Sequence, residues 1–366
     1  MGSKTIMTFT WFGKHRVKLL ASLLFIAATL LMGGVSAAKD KIAVHVGTGE
    51  WAEANIKAYV EPFKKETGID VVAVKKWFSY AQLKLWQEKG GVEIDVTDVP
   101  AMHGALAGKK GWLEPIDYAA FSPEILEGLT KEAKKPWGVA ALWYAIALSY
   151  FTDLPKVPSN WAEYWNVEEF PGKRCLFNIS GGEMTWEVAL LADGVPPDKL
   201  YPIDFKRAMK SLDKIRPHIV KWWKDGSDNQ QLFADRFVDM GPAFNGRIGN
   251  LIKKGLKLKI EWNQGLLMGD YWAIPKGAPN QAAAQRFIRF AARPDRQADF
   301  ASRIPYGPTN LHAYKHLDPE LARTLPSHPD LIKLLIPVNV DWYAEEVDGK
   351  SHLEISTEHF TKWRMQ

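Results

Sequence analysis

At 366 residues, 46% of them hydrophobic and 24% charged, the chain has enough apolar material for a large core. A single cysteine, Cys175, excludes an intramolecular disulfide and a cysteine-built zinc site, and it is read as a buried structural thiol. The formal charge of +5 is concentrated at the N-terminus, so the broad basic face that a nucleic-acid partner requires is not expected.

Residues 1–37 read as an export signal. Lys4, Lys14, Arg16 and Lys18 are basic, an apolar run fills 19–35, and Val35-Ser36-Ala37 fits the small-residue cleavage rule. The competing reading is an uncleaved anchor, because the run approaches spanning length. Cleavage after Ala37 leaves 329 residues, in which Lys and Arg fall from 47 to 43 against 42 Asp and Glu. The mature protein is expected to be soluble and outside the cytoplasm.

Residues 41–47 predict a strand. Ile56, Tyr59, Val60 and Phe63 then mark one face of a helix. Pro62 predicts a kink or a second helix beginning there, and Gly68 a helix stop. Another strand follows at 69–74, which leaves Trp51 on the loop after the first strand, where open α/β sheets bind ligands. Residues 94–99 predict a short buried strand and 101–111 a helix. The continuous apolar run 136–151 predicts extended strands, including a passage between lobes.

Residues 158–177 form a turn-rich connector into a strand, and 177–191 a strand end, a Ser-Gly-Gly turn and a helix. Helices are expected at 204–219 and 228–235, with 225–229 as a helix cap. A strand is expected at 237–244 and a helix at 245–255. Strands at 257–263 and 266–275 precede two helices over 279–303, split at Pro294. Helical pieces and turns fill the last sixty residues. Strands alternating with helices indicate an α/β protein.

No GxSxG, HExxH, P-loop or GxGxxG motif occurs, and no His pair has metal-ligand spacing. No enzyme activity and no cofactor is expected. What remains is aromatic and acidic residues at strand-to-helix turns: Trp51, Phe244, Tyr271, Trp272 and Tyr306, with Asp98, Glu183 and Asp270. Aromatic faces beside carboxylates suit an organic cation. The plainer readings are core packing for the aromatics, helix capping for Asp98 and a dipole-complementing role for Glu183. Ser180-Gly181-Gly182 before a helix offers backbone N–H groups to an anion, or is a simple glycine turn.

The stretches 49–72, 158–174, 244–247 (Phe-Asn-Gly-Arg), 269–280 and 305–310 resemble, in order, the extracellular solute-binding proteins of ABC transporters, in particular the spermidine/putrescine-binding group. The resemblance implies a two-lobed periplasmic-binding-protein type II fold with crossover hinge strands and a ligand cleft. It also implies a monomer that delivers ligand to the permease subunits of an importer. Lobe 1 is expected to be 38–143 plus 275–310, and lobe 2 to be 144–274 plus 311–366.

By the same resemblance, Trp51 and Asp270 fall where that group holds its ligand. Phe244 and Met268 replace tryptophans, and Met102 a tyrosine. Gly181 and Met184 stand where acidic residues are usual, with Glu183 and Glu187 close by. The expected ligand is a polyamine-like amine. An aminophosphonate, an amino acid derivative, thiamine or ferric ion stays open, as do a secreted enzyme with an unrecognised site and an interaction protein with a vestigial cleft.

Overall fold

The computed structural model describes residues 41–178 and 184–366. The export signal, the Ser180-Gly181-Gly182 turn and the candidates Gly181 and Glu183 therefore lie outside the described residues.

β1 (Lys41–His45) and β2 (Asp70–Val74) pair in parallel, with Lys41 opposite Asp70. The segment between them is helical in three parts: Gly49–Asn55, one wide π-turn at Ile56–Val60, and Glu61–Thr67. Pro62 lies in the first turn of the last part, where a missing N–H removes no helical bond. Gly68 closes it at φ 72°. Tyr59, Val60 and Phe63 are buried, as their spacing predicts, while Ile56 is only partly so.

β3 (Thr97–Pro100) extends this layer, since Val96 bridges in parallel to Val44 of β1. The short β4 (Lys134–Lys135) leads into β5 (Gly138–Phe151), whose 14 residues are all buried. β6 (Arg174–Phe177), β7 (Ile219–Trp223), β8 (Met240–Phe244), β9 (Leu258–Ala273) and β10 (Ile336–Pro337) complete a sheet ordered β10-β9-β5-β8-β6-β7. β3 joins its β9 edge antiparallel. The long pair β5 and β9 thus belongs to both halves of the molecule. Near one end β9 carries β3 through Thr97–Pro100, and towards the other β5 carries β8 through Ile146–Tyr150.

Four details depart from the sequence reading. The two strands expected over 257–275 are one strand, β9, whose pairing with β5 is interrupted between Ile146 and Leu148, with Gln264 at φ 61° on the opposite side. The helix expected over 204–219 ends at Ile215. Pro217 starts no further α-turn, and the half-buried strand β7 follows. The helix Tyr80–Lys89 was not anticipated, because it buries only Leu83 and shows no apolar stripe. Asp98 caps nothing: the helix Ala101–Lys109 begins at Pro100 without a side-chain cap.

Other expectations hold. Asp225 caps the helix Gly226–Ala234 by accepting from the Ser227 and Asp228 amides at 2.8 and 2.9 Å. Cys175 is fully buried, and burial pushes its thiol pKa up.

Candidate functional site

The C-terminal ends of β1, β2, β3, β7 and β8 converge on one cavity. Each delivers a residue from the turn it enters: Trp51 after β1, Trp77 after β2, Pro100 of β3, Lys224–Ser227 after β7, and Phe244 with Arg247 at β8. This is where open α/β sheets place ligands, because side chains there are held by the strands yet face a crevice. Tyr144 from β5, Asp270 from β9 and Tyr306 from a loop complete a cavity of about 270 Å³.

The aromatic walls touch one another. Trp51 meets Trp77 at 5.6 Å and Tyr306 at 5.4 Å between ring centroids, and Tyr144 meets Phe244 at 5.5 Å. Gly47, at φ 72°, lets Trp51 and Trp77 close over it; a Cβ there would lie 2.5 Å from Trp51 Cδ1. Trp77 is further fixed by its indole N–H donating to Thr48 Oγ1 at 3.0 Å.

The run Phe244-Asn245-Gly246-Arg247 does four separate tasks. Phe244 forms wall. Asn245 accepts from the Ala145 amide at 2.9 Å and donates to the Pro305 carbonyl at 2.8 Å, tying β5 to the loop that carries Tyr306. That loop is also clamped to β5 by two reciprocal bonds between Trp143 and Gly307. Gly246 leaves room for the Tyr306 ring. Arg247, buried, faces the cavity and donates through Nη1 to Gln230 Oε1 at 3.4 Å.

Four charged residues line the cavity, Asp270, Lys224, Asp225 and Arg247, and Asp225 is engaged as the cap of the helix Gly226–Ala234. At one end Asp270 faces the cavity, and Asp98 lies on the same sheet face one diagonal step away, since Asp98 is opposite Trp272 and Asp270 opposite Pro100. Burial raises the Asp98 carboxyl well above the ordinary carboxylate range, and the Asp270 charge raises it further; the nearby Trp51 indole acts the other way. Burial pushes Asp270 up to about 7. At the other end stand Arg247 and the exposed Lys224. Tyr306 lies between them. Burial raises its hydroxyl to about 12, Arg247 pulls the value down and Asp270 pushes it up.

Residues 58–326 match the sequence profile of a family described as bacterial extracellular solute-binding protein. The chain belongs to this family of bacterial extracellular solute-binding proteins. A gamma-aminobutyric acid-binding protein of Pseudomonas aeruginosa is 35% identical over 323 residues, spanning 86% of this chain and 88% of that one. A spermidine/putrescine-binding periplasmic protein of Salmonella typhimurium is 27% identical, over 83% of this chain and 89% of that one. The solved Atu4243–GABA receptor superposes with a TM-score of 0.80 at 32% identity, covering 89% of this chain and 97% of that chain. The solute-binding protein described here therefore has the two-lobed α/β fold of ABC-transporter binding proteins. Such proteins bind solutes for transport and are not enzymes.

Of the candidates named from sequence, the structure gathers Trp51, Phe244, Asp270 and Tyr306 around the cavity. Asp98 is buried directly behind Asp270. Met102 and Met268 are in the core instead. Met102 faces inward from its helix, and Met268 lies beneath Tyr144, whose hydroxyl is 4.0 Å from its sulfur. Tyr271 and Trp272 pack in the sheet.

Sequence reasoning missed Trp77, Tyr144, Arg247 and the Lys224–Ser227 turn. Trp77 and Arg247 each follow a predicted strand end, and that position was the available signal. The 224–227 turn was hidden because β7 was.

Proposed function

We propose that this solute-binding protein captures a short ω-amino acid of the γ-aminobutyrate type and hands it to the permease subunits of an ABC importer. The carrying observation is the charge layout: Asp270, backed by Asp98, at one end of an aromatic-walled cavity, and Arg247 with Lys224 at the other. An ammonium group finds a carboxylate and ring faces at the first end. A carboxylate finds a planar guanidinium at the second, able to bind it through two N–H groups. The aliphatic stem lies along Trp51, Tyr144 and Phe244. The Pseudomonas aeruginosa and Atu4243 relatives, both named for this ligand, support the reading.

The polyamine reading ranks behind it. A diamine would place its second ammonium against Arg247, and like charges in a desolvated site repel strongly. Capture requires closure of lobe 1 (38–143 plus 275–310) on lobe 2 (144–274 plus 311–366) about the chain passages at 143–144 and 274–275, so that each supplies part of the site. The protein acts as an exported monomer after cleavage at Ala37.

A thermal-shift panel of γ-aminobutyrate, putrescine, spermidine, aminophosphonates and thiamine tests the proposal. A ligand at a hundred times its dissociation constant adds about 2.7 kcal/mol. Stabilisation by γ-aminobutyrate is the expected result. Stabilisation by polyamines alone would return the ligand to that class.

A further inference from the structure

We propose that Asp98 and Asp270 share one proton while the cavity is empty, and that an incoming ammonium displaces that proton to solvent. The inference rests on reading this end of the cavity as an amine site. Asp98, which does not line the cavity, thereby becomes the residue that makes the site select a protonated amine over a neutral isostere.

The geometry carries it. Asp98 and Asp270 occupy one face of two adjacent antiparallel strands, a diagonal neighbour relationship that brings side chains within reach of each other. Asp98 is 7% exposed, and its Oδ1 has no hydrogen-bond partner among the described residues. The buried Trp51 indole N–H lies beside it, near enough to favour the charged carboxylate though outside hydrogen-bond geometry. Both groups stand beside the cavity that Trp51 and Asp270 line.

The titratable and charged groups around the pair come from every neighbouring element. The Tyr59 hydroxyl lies on the side of the first helical segment, Tyr144 on β5, Tyr271 on β9, and Tyr306 on its loop. Arg247, Lys224 and Asp225 lie across the cavity. Among the described residues no lysine, arginine or histidine forms an ion pair with either carboxylate, so the buried Asp98 and the half-buried Asp270 would be two adjacent uncompensated anions. Such pairs hold a proton between them. Burial acts in the same direction on both carboxyls.

The exchange conserves charge in the site. The ligand's ammonium keeps its three protons, the carboxyl O–H bond breaks, and its proton leaves to water or buffer. One positive charge enters as one leaves. A neutral isostere such as an amide or alcohol brings no charge to compensate the pair, and the proton stays.

The test is calorimetric titration of the full chain with γ-aminobutyrate at neutral pH, repeated in buffers of different ionisation enthalpy. The expected slope against buffer enthalpy corresponds to about one proton released per ligand bound. In Asp98→Asn the slope should fall clearly below that of the parent, to what Asp270 alone releases. Binding with zero slope in the parent chain would overturn the inference while leaving the proposed ligand intact. Binding of putrescine but not γ-aminobutyrate, with a proton released, would do the reverse. Independently of any ligand, carbon-13 aspartate NMR of the unliganded protein should show one carboxyl still protonated near neutral pH, and less of it protonated there in Asp98→Asn. Titration of every aspartate in the ordinary carboxylate range would also overturn it.

Discussion

Gly246 and Tyr306 touch backbone to ring: a Cβ on Gly246 would lie 2.4 Å from Tyr306 Cζ. The helix Asn245–Lys253 can therefore approach the cavity only with glycine at its second residue. Tyr306 is held from its other sides by Trp51 at 5.4 Å and Tyr144 at 6.4 Å. Gly246→Ala is predicted to cost about 1–3 kcal/mol of stability through overpacking. It should also weaken ligand binding, because the ring must move. Chemical denaturation and a ligand titration measure the two effects, and unchanged affinity would remove Tyr306 from the site.

Arg247 is the predicted partner of the ligand carboxylate. Its side chain is buried, so truncation leaves that carboxylate without a counter-charge in a desolvated place. Arg247→Ala is predicted to weaken γ-aminobutyrate binding by roughly 2–5 kcal/mol. Putrescine binding should hold or improve, since a repulsive charge is gone. A competition titration reads both, and a parallel loss for the two ligands would contradict the assignment.

Asp98 and Asp270 predict a particular pH dependence of stability. Burial holds both carboxyls above their unfolded values, Asp270 at about 7. The folded chain thus keeps protons that the unfolded chain releases near pH 4. Their stabilising contribution is complete below the unfolded value and is lost as pH rises through the folded one, between about 4 and 7 for Asp270. His45 and His103 act oppositely. Burial, aided by Lys76 for His45, lowers each to about 4, so their contribution is present above about 6.5 and lost as pH falls towards 4. Comparing Asp98→Asn with the parent cancels the histidines. The variant is predicted to gain stability relative to the parent as pH rises from acid to neutral, measured by urea unfolding of unliganded protein. A difference independent of pH would contradict the raised Asp98 carboxyl.

Asp95 predicts a purely structural effect. It is 1% exposed and accepts from the Ala43 amide at 2.8 Å and the Asn280 amide at 2.7 Å, joining β1 to the turn after β9. Asp95→Ala leaves both donors unsatisfied, and each costs about 1–3 kcal/mol when buried. The melting temperature should fall, with ligand affinity little changed in the protein that remains folded.

The alternation of strands and helices was legible because each carries its own signal: the apolar face through Tyr59 and Phe63, the Gly68 stop, the Asp225 cap. Trp51, Phe244 and Asp270 were legible as candidates for lining the cavity because they stand at strand ends or in stretches with a family likeness. Tyr144 was not, since the run 136–151 is apolar throughout and no alternation tells which face meets the cavity. Arg247 is one basic residue among many until the fold shows it buried. Met102 and Met268 were named by positional likeness alone, and packing draws both into the core. The Asp98–Asp270 relation depends on the register of β3 against β9, which pairs residues far apart in sequence and which no local pattern encodes.

The most direct test of the account is a calorimetric competition on the mature protein between γ-aminobutyrate and putrescine. The charge layout predicts that γ-aminobutyrate binds and that putrescine fails to displace it at comparable concentration. Tight putrescine binding, with γ-aminobutyrate unable to compete, would contradict the assignment of Arg247 and Lys224 as the anion end of the cavity.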